Sequence, residues 1–159
     1  MEGGYPESRN NNMYNPIEHT VTIQASPSMV WKALTDITSM KQWMAEPEMK
    51  IEIEMEGKTN GYFNTTWFHH VKGVNKGTIL AFEPNKVFKY NYLSSISRLP
   101  DVPESYSAVE FRLQRLDDAT QLTVIVTGFP NETTYKHLEF YWRGTIVLLK
   151  NWIEKHTQR

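Results

Sequence analysis

The chain has 159 residues, 22% of them charged and 40% hydrophobic, and a formal charge of -1. That size and balance fit one globular domain with a single sizeable core, and the lack of a basic excess argues against general nucleic-acid binding. There is no cysteine, which excludes disulfides, thiolate metal sites and thiol nucleophiles.

Residues 1–16 hold Gly3, Gly4, Asn10 to Asn12 and two prolines. They read as a flexible N-terminal tail, too polar to offset its own ordering entropy, with residues 17–159 as the single domain. This start lacks the apolar core of a signal peptide. No apolar stretch reaches the roughly 20 residues that span a bilayer, so a cytoplasmic protein without membrane insertion is expected.

The regular pattern begins near His19. Val21, Ile23 and Ala25 alternate with polar residues, which is strand spacing. Ser26-Pro27 then supplies an N-cap and a first helical residue, and Val30, Trp31, Leu34 and Ile37 recur at helical intervals. A second short helical turn over 39–44 carries Trp43. Met49, Ile51, Ile53 and Met55 alternate with Lys50 and glutamates and predict a strand with one wet face. Further strands are predicted over 62–70, 77–83, 87–93, 105–116 and 121–127, with a hairpin loop at 72–76 and a proline-bearing loop at 94–104. After Gly128 the period changes. Leu138, Trp142, Ile146, Leu149 and Ile153 recur at three and four and predict one long helix over 131–156. Short connections imply an antiparallel meander, and only the last helix is long enough to cover its apolar face.

Several strings carry a resemblance. They are Ala25-Ser26-Pro27-Ser28-Met29-Val30-Trp31-Lys32-Ala33-Leu34-Thr35, Lys41-Gln42-Trp43, Gly77-Thr78-Ile79-Leu80 with Glu83-Pro84, and Gly128-Phe129. In the last helix they are His137, Tyr141-Trp142 and Leu148-Leu149-Lys150. Over about 19–156 the chain resembles the START-like and Bet v-like superfamily. Within it, the chain resembles the bacterial branch related to the C-terminal domain of the activator of the heat-shock protein 90 ATPase. The resemblance implies an α+β helix-grip fold. A curved antiparallel sheet of about seven strands would surround the C-terminal helix, with two short helices after the first strand. It also implies an internal cavity that takes lipids, polyketides or similar metabolites, and a chaperone partner by family analogy.

The expected function is therefore binding of a hydrophobic or aromatic small molecule between sheet and helix. The expected ligand-binding residues are Trp43, Trp67, Phe88, Tyr90, Tyr92, Phe111, His137, Leu138, Tyr141 and Trp142. Strand parity points Phe88, Tyr90, Tyr92 and Phe111 inward. It leaves Trp67 open, because large residues occupy both parities there. Trp43 either packs a lid or touches the ligand. The alternatives are a cyclase-like or hydrolase-like enzyme in the same cavity and a co-chaperone-like interaction module. An acid/base pair could come from His137 and Tyr141, whereas Glu110 and Arg112 share the face opposite Phe111. His69 and His70, read as strand neighbours, point to opposite faces and cannot share a metal. No catalytic residue, metal or cofactor is expected, since no nucleophile elbow, HExxH, P-loop or dinucleotide fingerprint is present.

Overall fold

The computed structural model describes residues 14–157. Most of the expected tail, residues 1–13, lies outside them. Seven strands, β1 (Ile17–Ile23), β2 (Glu52–Met55), β3 (Tyr62–His69), β4 (Val71–Glu83), β5 (Val87–Ser94), β6 (Ser107–Leu116) and β7 (Ala119–Thr127), form one antiparallel sheet. Helices α1 (Pro27–Thr35) and α2 (Ile37–Trp43) follow β1, and α3 (Glu132–Thr157) closes the chain. The strand order is β1-β7-β6-β5-β4-β3-β2. Six strands thus form a meander, and β1 joins it on the far edge beside β7. This is the expected helix-grip architecture.

The concave face follows from alternation. Ile79, Tyr90, Val109, Val126 and Ile17 lie in register across five strands and are all buried. Onto this row α3 lays Leu138, Trp142, Ile146, Leu149 and Ile153, all buried. Burying each such side chain stabilises the fold by about 1.5–3 kcal/mol. A bulge between Ile79 and Ala81 and the glycine at position 77 help the sheet bend. A Cβ on Gly77 would stand 1.9 Å from the Asn91 carbonyl oxygen, so no other residue lets β5 approach so closely.

Several boundaries differ from the sequence reading, each for a local reason. β1 starts at Ile17 rather than His19, because Ile17 is buried against Val126. Before it, the Tyr14 ring stacks on Tyr135 at 4.8 Å, so packing begins within the span read as tail. The first helix stops at Thr35, not Ile37. Asp36 ends α1 and caps α2, its Oδ2 accepting from the Ser39 amide at 3.0 Å and the Ser39 hydroxyl at 2.9 Å. β2 starts at Glu52 rather than Met49, because a 3-10 turn at Pro47–Met49 delivers Lys50 in the left-handed region (φ 50°).

The larger correction concerns the β3–β4 hairpin. The loop expected at 72–76 is strand. The chain reverses at His70 alone, with φ 69° and His69 paired to Val71. The two histidines are therefore not strand neighbours pointing apart. Their rings sit 4.8 Å from each other at the hairpin tip.

Candidate ligand site between the sheet and the terminal helix

Alternation along β3 resolves the parity of Trp67. Phe63 and Thr65 are buried on the concave face, and Trp67 continues that side, lying across Gly73 of the neighbouring strand. A Cβ at Gly73 would come within 2.3 Å of the indole, so the glycine is the seat of the ring.

Eight of the ten expected residues pack around the space between sheet and helix, in two groups, while Trp67 extends the concave side of β3 toward the hairpin tip without packing on the core. The first is closed. Phe88 and Phe111 stack at 6.3 Å, Trp142 meets Phe111 edge-on at 5.6 Å, and Trp43 meets Phe111 edge-on at 6.4 Å. With Leu138 they are all buried. The Trp43 indole nitrogen donates to the Ala33 carbonyl at 2.9 Å, an oxygen in the last turn of α1 with no partner inside its own helix. Trp43 thus pins α2 to α1 and closes this end by packing.

The second group is looser. Tyr90 is buried, but Tyr92 and Tyr141 are only part-buried although both pack on the same core. Phe63 packs edge-on to Tyr90 at 4.6 Å, and Tyr92 follows at 6.4 Å. Tyr141 reaches over from α3, its hydroxyl donating to the Met44 carbonyl at 3.1 Å. Burial pushes the Tyr90 phenol well above its ordinary value, with a further push from Tyr92 and Tyr141. Burial, then Tyr141, raises Tyr92 likewise. Burial raises Tyr141, against a smaller opposing hydrogen bond from Thr145.

The same end holds a polar row that the sequence reading missed. Thr65, Asn75 and Ser94 are in register across three strands, and Ser107 pairs with Tyr92. Asn75 Oδ1 is sealed from solvent and has no hydrogen-bond partner among the described residues. Leaving such an oxygen unpaired costs about 1–3 kcal/mol. The signal for Asn75 was hidden because positions 72–76 read as loop.

His137 stands apart from the group. It is exposed and lines a groove of about 490 Å³ on the outward side of α3, its ring 6.5 Å from that of Tyr141. A second groove, of about 880 Å³, lies at the strand ends beside Lys86 and Arg112. Glu110 and Arg112 are ion-paired on the convex face with Lys89 at 3.9 Å, opposite Phe111 as alternation requires. The inward histidine is instead His19, whose Nε2 lies 3.2 Å from Glu139 Oε2 on α3. That is ion-pair distance when the ring is protonated, although the contact lies outside hydrogen-bond geometry.

A curled seven-stranded sheet gripping a terminal helix around an aromatic interior is the architecture of the START-like and Bet v-like superfamily, many of whose members bind hydrophobic ligands. The family model of activator of Hsp90 ATPase homolog 1-like proteins matches residues 24–154, and the chain belongs to that family. Among solved structures, a Mesorhizobium loti protein is 21% identical with TM-score 0.72, covering 91% of this chain and 100% of that one. A Cytophaga hutchinsonii protein is 23% identical with TM-score 0.75, over 90% and 96%. The Aha1 dimer of Colwellia psychrerythraea is 19% identical with TM-score 0.67, over 91% and 100%. Among proteins of curated function, none is significantly similar. Among the described residues, no helix is long and apolar enough to cross a membrane.

Proposed function

We propose that the protein binds a small, flat, mostly apolar molecule carrying a hydroxyl group, at the looser end of the space between sheet and α3. Trp67, Tyr90, Tyr92 and Tyr141 would supply the apolar contact. The tyrosine hydroxyls and Asn75 would fix its orientation. The observation that carries this reading is the sealed, partnerless Asn75 oxygen beside part-buried rings. A ligand hydroxyl donating to it would remove a cost that the free protein bears. The interlocked rings around Phe111 leave the other end to packing, so entry requires Tyr92, Tyr141 and the 95–105 loop to part. That loop is held by Lys76 on β4 pairing with Asp101, which also accepts from the Tyr106 hydroxyl at 2.7 Å.

The test is tryptophan fluorescence titration with naphthol against naphthalene. Naphthol should bind about tenfold more tightly, and Asn75→Leu should abolish that preference while leaving naphthalene unaffected. Absence of any response from the wild-type chain to either probe would sink the reading.

A further inference from the structure

The outward face of α3 carries the most exposed large apolar residue of the described chain. Phe140 is 73% exposed, Leu148 51% and Val147 48%. Between Phe140 and Leu148 lies Gly144, whose absent side chain would meet nothing within 4 Å. A mid-helix glycine costs about 1 kcal/mol relative to alanine, and nothing inside this fold requires it there. It leaves a notch at the middle of the 26-residue helix, flanked by the apolar groove that His137 and Tyr141 also line.

The face is also its own complement. Phe140 and Leu148 each lie four residues from Gly144, His137 and Asn151 each seven, Thr133 and Lys155 each eleven, and all are exposed. Reversing the helix about Gly144 superposes this stripe on itself. We propose that two copies of the chain pair antiparallel through this face, about a twofold axis at Gly144. The notch admits the close approach, and the Phe140–Gly144–Leu148 ridge of one copy packs into the matching groove of the other. Phe140 then meets Leu148, and Val147 meets Tyr141.

Charge agrees with the antiparallel sense. Glu132 in the first turn of one copy faces Lys155 and His156 in the last turn of the other, and the helix dipoles oppose. The like charges nearest the axis, the two Arg143 side chains, are each balanced by Glu139 of their own chain at 3.8 Å. A contact strip about 39 Å long and 10 Å wide buries about 400 Å² per copy, half of a standard interface. An interface of that size makes a weak, concentration-dependent dimer.

Sedimentation velocity of the full chain over about a hundredfold concentration range should show reversible monomer–dimer exchange. Phe140→Glu should weaken it at least about tenfold without lowering the melting temperature at dilutions where the chain is monomeric, because Phe140 touches little within its own fold. Because the chain has no cysteine, single cysteines report the geometry. Gly144→Cys should cross-link to itself on mild oxidation. His137→Cys and Asn151→Cys, each about 21 Å from its own copy along the axes, should not, yet a mixture of the two should be joined by a short bismaleimide. A monomer at every concentration, a dimer indifferent to Phe140→Glu, or self-linking of His137→Cys would each overturn the proposal.

Discussion

Single residues set the chemistry of the inner space. Tyr90, Tyr92 and Tyr141 have phenols held protonated by burial, so each has a folded-state pKa above its unfolded one. Their contribution to stability is complete below about pH 10. It is lost as pH rises further, because the unfolded chain sheds protons that the fold retains. Alkaline denaturation followed by circular dichroism should steepen above pH 10. Tyr92→Phe should flatten that limb by about 1.4 kcal/mol per pH unit while leaving stability at pH 7 little changed. Gly77 illustrates the opposite constraint, one of backbone space. Gly77→Ala drives a methyl into the Asn91 carbonyl and should cost about 2–4 kcal/mol, read as a lower denaturation midpoint.

Elements are held to one another by a few directed contacts. At the C-terminal end of α3, Glu154 accepts from the Gln24 amide at 2.8 Å and from Lys150 at 2.6 Å, tying the helix to the end of β1. Burial by itself would raise this carboxyl, but Lys150 and the Gln24 amide outweigh it and hold it below the usual glutamate value of 4.5. A lowered folded-state pKa adds stability above that value, and the gain disappears as pH falls through the folded one. Glu154→Gln should therefore lower the melting temperature at pH 7 by about 2–4 °C, and the gap from wild type should narrow progressively as pH falls below 4.5. Asp36 performs the corresponding task between α1 and α2. Asp36→Ala removes the α2 cap and should cost about 1 kcal/mol in thermal unfolding, with Trp43 loosened from Ala33 and red-shifted in emission.

At the scale of the whole molecule, the sheet and α3 bury one continuous core, and the two proposed interactions use opposite sides of the same helix. The inner side offers Leu138 and Trp142 to the sheet, while Tyr141 leans toward the looser end. The outer side offers Phe140, Gly144 and Leu148 to a second copy. Tyr141 borders both, so occupancy of the inner space and pairing of the chain are to be measured together. A bound naphthol should raise the melting temperature in the Phe140→Glu variant as much as in wild type, since that substitution leaves the inner face intact.

The sequence by itself determined the order of the elements and the side that most strands bury, β3 excepted. Periods of two and of three to four are local, and the alternation of Phe88, Tyr90 and Tyr92 or the stripe from Leu138 to Ile153 needs no partner to be read. It did not determine where the β3–β4 chain reverses. Gly73 and Asn75 look like turn residues, yet one is a seat for Trp67 and the other a strand residue facing inward, choices made by cross-strand packing. Nor did it separate rings that fill space from rings that border it, or show His137 turned outward and His19 turned in. Those outcomes depend on which side chains meet across distant elements, and only the assembled sheet and helix bring them together.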